Sequence, residues 1–149
     1  MFSSSTDYRR FKARRGKLIV YTGGADPVFS AKYHVDWYRR LALANHGYER
    51  TQDFARLFYV PGMQHCGGGI ATDRFDAFAA LVAWVEKGNE PDRIVAATNP
   101  ANPSLDDLAT PVSPNRTRPL CPYPRYARYQ GSGSIEDAAN FECMRPRHH

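Results

Sequence analysis

Nothing in these 149 residues approaches the run of about 18 apolar positions that a membrane span needs, so a membrane-spanning helix is excluded. No C-x-x-C pair occurs, which removes zinc-ribbon and thiol-redox motifs. No internal repeat is visible, so solenoid and propeller architectures are set aside. The opening Met1-Phe2-Ser3-Ser4-Ser5 has neither an apolar h-region nor a cleavage pattern and does not read as a signal peptide. The expectation is that the chain stays where it is made, or that its first residue is not the natural start.

Three cysteines, Cys66, Cys121 and Cys143, make an odd set. In an oxidising compartment one internal disulfide would leave one thiol seeking a partner outside the chain. The apolar fraction of 42% is ordinary for a globular domain, and the length suffices for a sizeable core. The net charge is +5. Arg9, Arg10, Lys12, Arg14, Arg15 and Lys17 crowd the start, while Arg116, Arg118, Arg125, Arg128, Arg145 and Arg147 pepper the end. Basic stripes of this kind suit phosphate or nucleic acid. No nucleic-acid motif accompanies them, so the reading adopted is a solvated surface and no nucleic-acid partner.

Residues 1–15 read as a loose basic arm or the tail of a preceding element. Leu18-Ile19-Val20-Tyr21, closed by Thr22-Gly23-Gly24, has the pattern of a buried strand and tight loop. Ser30 is placed to cap a helix over 31–45, with Val35, Tyr38, Leu41 and Ala42 on one face and Gly47 closing it. Arg56–Val60 predicts a second strand, stopped by Pro61-Gly62. Thr72 is placed to cap another helix, whose expected buried stripe is Phe75, Phe78, Ala79, Val82 and Val85. Trp37 and Trp84 read as packing residues, and His34 and His46 as surface residues. Ile94–Ala97 predicts a further short strand. Pro and Asn over 99–128 argue for irregular chain, and Ser134-Ile135-Glu136-Asp137 resembles a capping box opening a last short helix.

Strand, loop and helix, taken twice, is the rhythm of an α/β protein with a parallel sheet. Two strands are too few for a stable open sheet, so the sheet needs strands that this sequence does not supply. Functional groups in such sheets gather just past the carboxyl ends of strands. Asp26 follows the first strand in Gly23-Gly24-Ala25-Asp26-Pro27, and His65 follows the second in Pro61-Gly62-Met63-Gln64-His65-Cys66-Gly67-Gly68-Gly69. A carboxylate bonded to one imidazole nitrogen fixes the tautomer and stabilises the imidazolium formed on proton transfer. The plain alternative for Asp26 is turn chemistry before a proline. For Cys66 the alternatives are a thiol nucleophile or a metal pair with His65; with no third ligand near, neither is adopted, and no metal or cofactor is expected. In α/β-hydrolases the chain order is serine, acid, histidine. Acid and histidine stand here in that order, but no G-x-S-x-G occurs.

Gly23–Ser30 and Pro61–Gly69 resemble the acid and histidine blocks of the tannase/feruloyl esterase family, which includes mono(hydroxyethyl) terephthalate esterases. Arg118-Pro119-Leu120-Cys121-Pro122-Tyr123-Pro124, followed by Cys143, resembles its C-terminal extension, so the likeness runs from Gly16 to Cys143. The resemblance implies the C-terminal part of an α/β-hydrolase over 16–98, with parallel strands and flanking helices, and an irregular disulfide-linked extension over 99–149. It implies that Asp26 orients His65, that His65 is general base and then general acid, and that Phe29 lines an aromatic pocket. By the same likeness Cys121 pairs with Cys143. Cys66 would pair with a cysteine just before the nucleophilic serine, on a segment absent here together with the oxyanion hole, lid and calcium site. The function so implied is hydrolysis of aromatic acyl esters, in a secreted or periplasmic parent enzyme, with this chain inactive alone. The alternative is a non-catalytic interaction module that self-associates through its exposed sheet edge or binds another chain.

Overall fold

In the computed structural model, which describes residues 5–105 and 112–146, the basic start is not a free arm. Arg9–Ala13 form a short helix, α1. It forms because Tyr8 and Phe11 have an apolar cluster to lie on, Tyr8 meeting Trp37 edge-on and tilting against Phe54. The expectation of a loose arm is corrected on that ground. Ser3, Ser4, Arg147, His148 and His149 lie outside the described residues.

β1 (Leu18–Gly23), α2 (Ala31–Ala44), α3 (Tyr48–Gln52) and β2 (Ala55–Val60) follow. The strands run parallel, in a register that sets Leu18 beside Ala55 and Gly23 beside Val60. Period-two alternation then assigns their faces. Leu18, Val20, Ala55 and Leu57 join Trp37, Tyr38 and Leu41 of α2, while Ile19, Phe58 and Val60 join a second cluster on the opposite face. Ser30 stands at the N-cap of α2 but makes no side-chain capping bond. The chain leaves α2 through His46 at φ 62 and Gly47 at φ 110, and Gly47 at once starts α3, an element the sequence pattern did not reveal.

The next helix, α4, spans Ala77–Lys87. Its cap is Asp76, which accepts the Ala79 N–H, not Thr72, because residues 73–76 are drawn into a bridge between Arg74 and Ala97. The expected buried stripe is also corrected: Phe78 is 76% and Val85 60% exposed, whereas Trp84 is 1% exposed. Trp84 faces the sheet, with the buried Arg56 guanidinium 5.1 Å from its ring and Lys17 at 4.8 Å. Arg56 is in turn paired with Glu90 and Asp92, so its charge is compensated where water is excluded. The apolar stripe of α4 faces outward because no described strand lies beyond β1 to receive it.

The extension is more regular than its composition suggests. β3 (Ile94–Ala97) pairs antiparallel with β4 (Thr117–Leu120), and β5 (Tyr126–Tyr129) with β6 (Phe141–Met144). Prolines sit where they cost little: Pro119 in a two-stranded ribbon, and Pro122 where residues 122–123 close the free side of β2 through the Tyr123 N–H to Leu57 C=O bond. A disulfide joins Cys121 to Cys143. The last short helix is a 3-10 helix at Ala138–Asn140, capped by Asp137, which accepts the Ala139 N–H, while Glu136 pairs with Arg116. No described helix is long and apolar enough to cross a membrane.

The two sides of α4 predict opposite responses. In urea unfolding of the chain, Trp84→Ala should cost about 3–5 kcal/mol, whereas Phe78→Ser should stay within about 0.5 kcal/mol of the parent. A loss at Phe78 comparable to that at Trp84 would show the outer stripe to be buried.

Candidate active site

Two loops meet at the carboxyl end of the parallel pair. The loop after β1 is tied to the loop after β2 by backbone alone: the Gly24 N–H donates to the Val60 C=O at 2.8 Å, and the Ala25 N–H to the Met63 C=O at 3.0 Å. With these stitches the positions of Asp26 and His65 follow from strand register. Thr22, buried at the end of β1, contacts His34 Nδ1 at 3.1 Å and fixes α2 against the same edge, so His34 is half-buried and engaged.

Asp26 divides its two oxygens between two tasks. Oδ1 accepts the Val28 N–H at 2.8 Å and the Phe29 N–H at 2.9 Å, the first amides available after Pro27, which has none. Oδ2 lies 3.1 Å from His65 Nδ1. The Asp26 side chain is 8% exposed and that of His65 is 43% exposed. An ionised carboxylate only accepts, so the imidazole proton sits on Nδ1 and Nε2 keeps its lone pair. The Phe29 ring centroid stands 5.2 Å from that of His65, tilted at 50°.

The amide of Phe29 first, then the His65 ring and the Val28 amide, hold the Asp26 carboxyl below its ordinary value, against burial, which acts the other way. The arrangement favours the ionised form of the carboxylate.

His65 rides on a glycine-rich turn. Gly62 and Gly69 have φ of 72° and 76°, and a side chain on either would run into main-chain carbonyl groups, of Ile70 and of Gly62 respectively. Cys66, although not glycine, has φ 61°, and its thiol is free and exposed. The turn is held from outside by Asp73, Asn102 and Ser104, which sequence reasoning passed over. Asp73 lies close enough in sequence to have been suspected as a loop anchor; Asn102 sits 33 residues from its partner and gave no local signal. Cys121 and Cys143 form their bond in the extension, and no pairing to Cys66 occurs within the chain. Among the described residues no hydroxyl bonds His65 Nε2, and no cluster of three or more His, Cys, Asp or Glu stands ready for a metal.

A family model described as tannase and feruloyl esterase matches residues 1–144. The chain is 50% identical over 144 residues to mono(2-hydroxyethyl) terephthalate hydrolase of Piscinibacter sakaiensis, covering 97% of this chain and 22% of that protein. It is 32% identical over 153 residues to the probable feruloyl esterase B-2 of Neosartorya fischeri, covering 93% and 28%. The crystal structure of feruloyl esterase B from Aspergillus oryzae superposes with a TM-score of 0.74 at 28% identity, over 94% of this chain and 29% of that one. The chain thus spans about a quarter of the length of these relatives.

The depressed carboxyl has a pH consequence. Its contribution to stability is fully present above the ordinary Asp value of about 3.9 and is lost as the pH falls through the lower folded value. Carbon NMR titration should therefore find the Asp26 midpoint below that of an unstructured Asp. A midpoint at or above it would contradict the three bonds described here.

Proposed function

Because the chain belongs to the tannase and feruloyl esterase family, we propose that it supplies the acid and base of a serine carboxylic-ester hydrolase acting on aromatic acyl esters. The observation that carries this is the 3.1 Å contact between Asp26 Oδ2 and His65 Nδ1, at the loop edge where α/β sheets hold their chemistry. The substrate class follows the relatives, named for terephthalate and feruloyl esters, and Phe29 beside His65 suits an aromatic acyl group.

In the proposed reaction a serine hydroxyl attacks the ester carbonyl while His65 Nε2 takes its proton. Asp26 stabilises the imidazolium. The tetrahedral adduct collapses with the proton passed to the departing alcohol oxygen, leaving an acyl-serine. Water, deprotonated by the same nitrogen, then attacks the acyl carbon; the proton returns to the serine as the aromatic acid leaves. The serine and the oxyanion donors come from polypeptide outside this sequence. Cys66, exposed beside His65, is the anchor for a cysteine on that polypeptide. The outer edge of β1 and the Phe78–Val85 side of α4 are the seat for its strands. With no complementary segment the same surfaces favour self-association, which is how the interaction-module reading would operate. The Cys121–Cys143 disulfide fits an oxidising, secreted or periplasmic setting.

The purified 149-residue chain should leave methyl ferulate and methyl gallate unhydrolysed. Joined to an N-terminal polypeptide carrying a Cys-Ser-x-Gly-Gly block, it should turn them over. In the joined protein His65→Ala should lower kcat about 10³-fold or more and Asp26→Asn by about 10⁴-fold. Turnover by the chain alone, or activity that survives His65→Ala, would remove the proposal.

A further inference from the structure

His65 sits in a turn that does not hold its own shape. The Gln64 N–H closes it on the Gly68 C=O at 3.2 Å, with Cys66 at φ 61 and Gly67 at φ 154 between. A non-glycine residue in the left-handed region persists only where the surroundings impose it. Three neighbours impose it here. Asp73 Oδ2 accepts the Gly68 N–H at 2.7 Å. On the far side Asn102 Nδ2 donates to the Gly69 C=O at 2.7 Å, and Ser104 Oγ accepts the Gly69 N–H at 3.3 Å.

Asp73 is the more telling of these contacts. Its second oxygen, Oδ1, is buried with no hydrogen-bond partner among the described residues. A half-satisfied buried carboxylate opposes stability, so packing alone gives no reason for it. Its one bond goes to the amide three residues after the imidazole.

We propose that Asp73 is a positioning residue: by holding Gly68 it fixes the turn that keeps His65 Nδ1 on Asp26. This rests on the reading of Asp26 and His65 as a catalytic pair. Asp73 acts as an acceptor of one amide, not as a charge near the ring, and it touches no reacting atom. Asn102 and Ser104 brace the same turn from the extension, so 99–105 serves the site as well as the fold.

The test is made on the nitrogen-labelled full chain, where long-range proton–nitrogen spectra report which ring nitrogen of His65 bears the proton. The parent should show a dominant Nδ1–H form. Asp73→Ala should lose that dominance, giving a mixture of the two tautomers. Asp73→Asn, which keeps an acceptor for Gly68, should stay near the parent. An unchanged tautomer in Asp73→Ala overturns the proposal, as does an Asp73→Asn variant as disturbed as Asp73→Ala. Should the alanine variant not fold, the parent decides: the Gly68 amide should exchange with solvent markedly more slowly than that of Gly67, and equal rates overturn the clamp. The pair itself is checked apart, by Asp26→Asn. If that variant leaves the tautomer untouched, the catalytic-pair reading fails and takes this inference with it; if it shifts the tautomer while Asp73→Ala does not, only the clamp fails.

Discussion

The parallel register that sets Gly23 beside Val60 governs where every functional group of this chain can stand. Side chains alternate along a strand, so a slip of one residue would turn Phe58 and Val60 out of one cluster and Leu57 out of the other. Register is therefore enforced from both faces of β2 at once. Once it is enforced, the two backbone bonds from Gly24 and Ala25 carry the alignment past the strand ends. The carboxylate and the imidazole then need only short turns to meet. Burial of unrelated side chains, far from any chemistry, thus sets a 3.1 Å contact.

The same packing leaves the chain asymmetric. On one edge β2 is closed by residues 122–123, and the α2 face is filled by tyrosine, tryptophan and leucine. On the other edge β1 has no described neighbour, and α4 shows Phe78 and Val85 to solvent. An apolar stripe beside an open strand edge is the surface on which a further strand would pack and pair. The proposed function seats the strands of a further length of chain on that surface.

How far the sequence disclosed this depends on whether a feature is local. Apolar β-branched runs marked β1 and β2, and the strand-end placement of Asp26 and His65 followed, because strand periodicity and turn residues act within a few positions. The start of α4 was misplaced at Thr72, since the bridge from Arg74 to Ala97 spans 23 positions and overrides a local cap. The stripe of Phe78 and Val85 was legible as amphipathic, but periodicity says only which residues share a face, not whether this chain provides what covers it. The arm was called loose although Tyr8 and Phe11 dock on a cluster assembled by residues 37–57. Antiparallel pairing in the extension is not legible in the sequence because its strands are four residues long and one of them, β4, carries Pro119. At the site, the loop anchors were hidden for the same reason: Asn102 gains its meaning only when folding brings it to Gly69.

What the pair lacks says as much as what it has. The hydrogen bonds that fix the Asp26 side chain come from Val28, Phe29 and His65, and the turn under His65 is held by Asp73, Asn102 and Ser104. These contacts, all among the described residues, orient the carboxylate and the imidazole toward each other. Nε2 belongs to an imidazole nearly half exposed, and in the proposed reaction it is the nitrogen that meets the nucleophile's hydroxyl. Groups already held in place need no reordering when a nucleophile or substrate arrives, so interaction energy is kept for the transition state instead of being consumed in assembling the site. Under the proposed function, a site divided between two lengths of chain can therefore work without losing accuracy, provided each length builds its own part rigidly. The tight turns around Asp26 and the braced turn under His65 meet that condition.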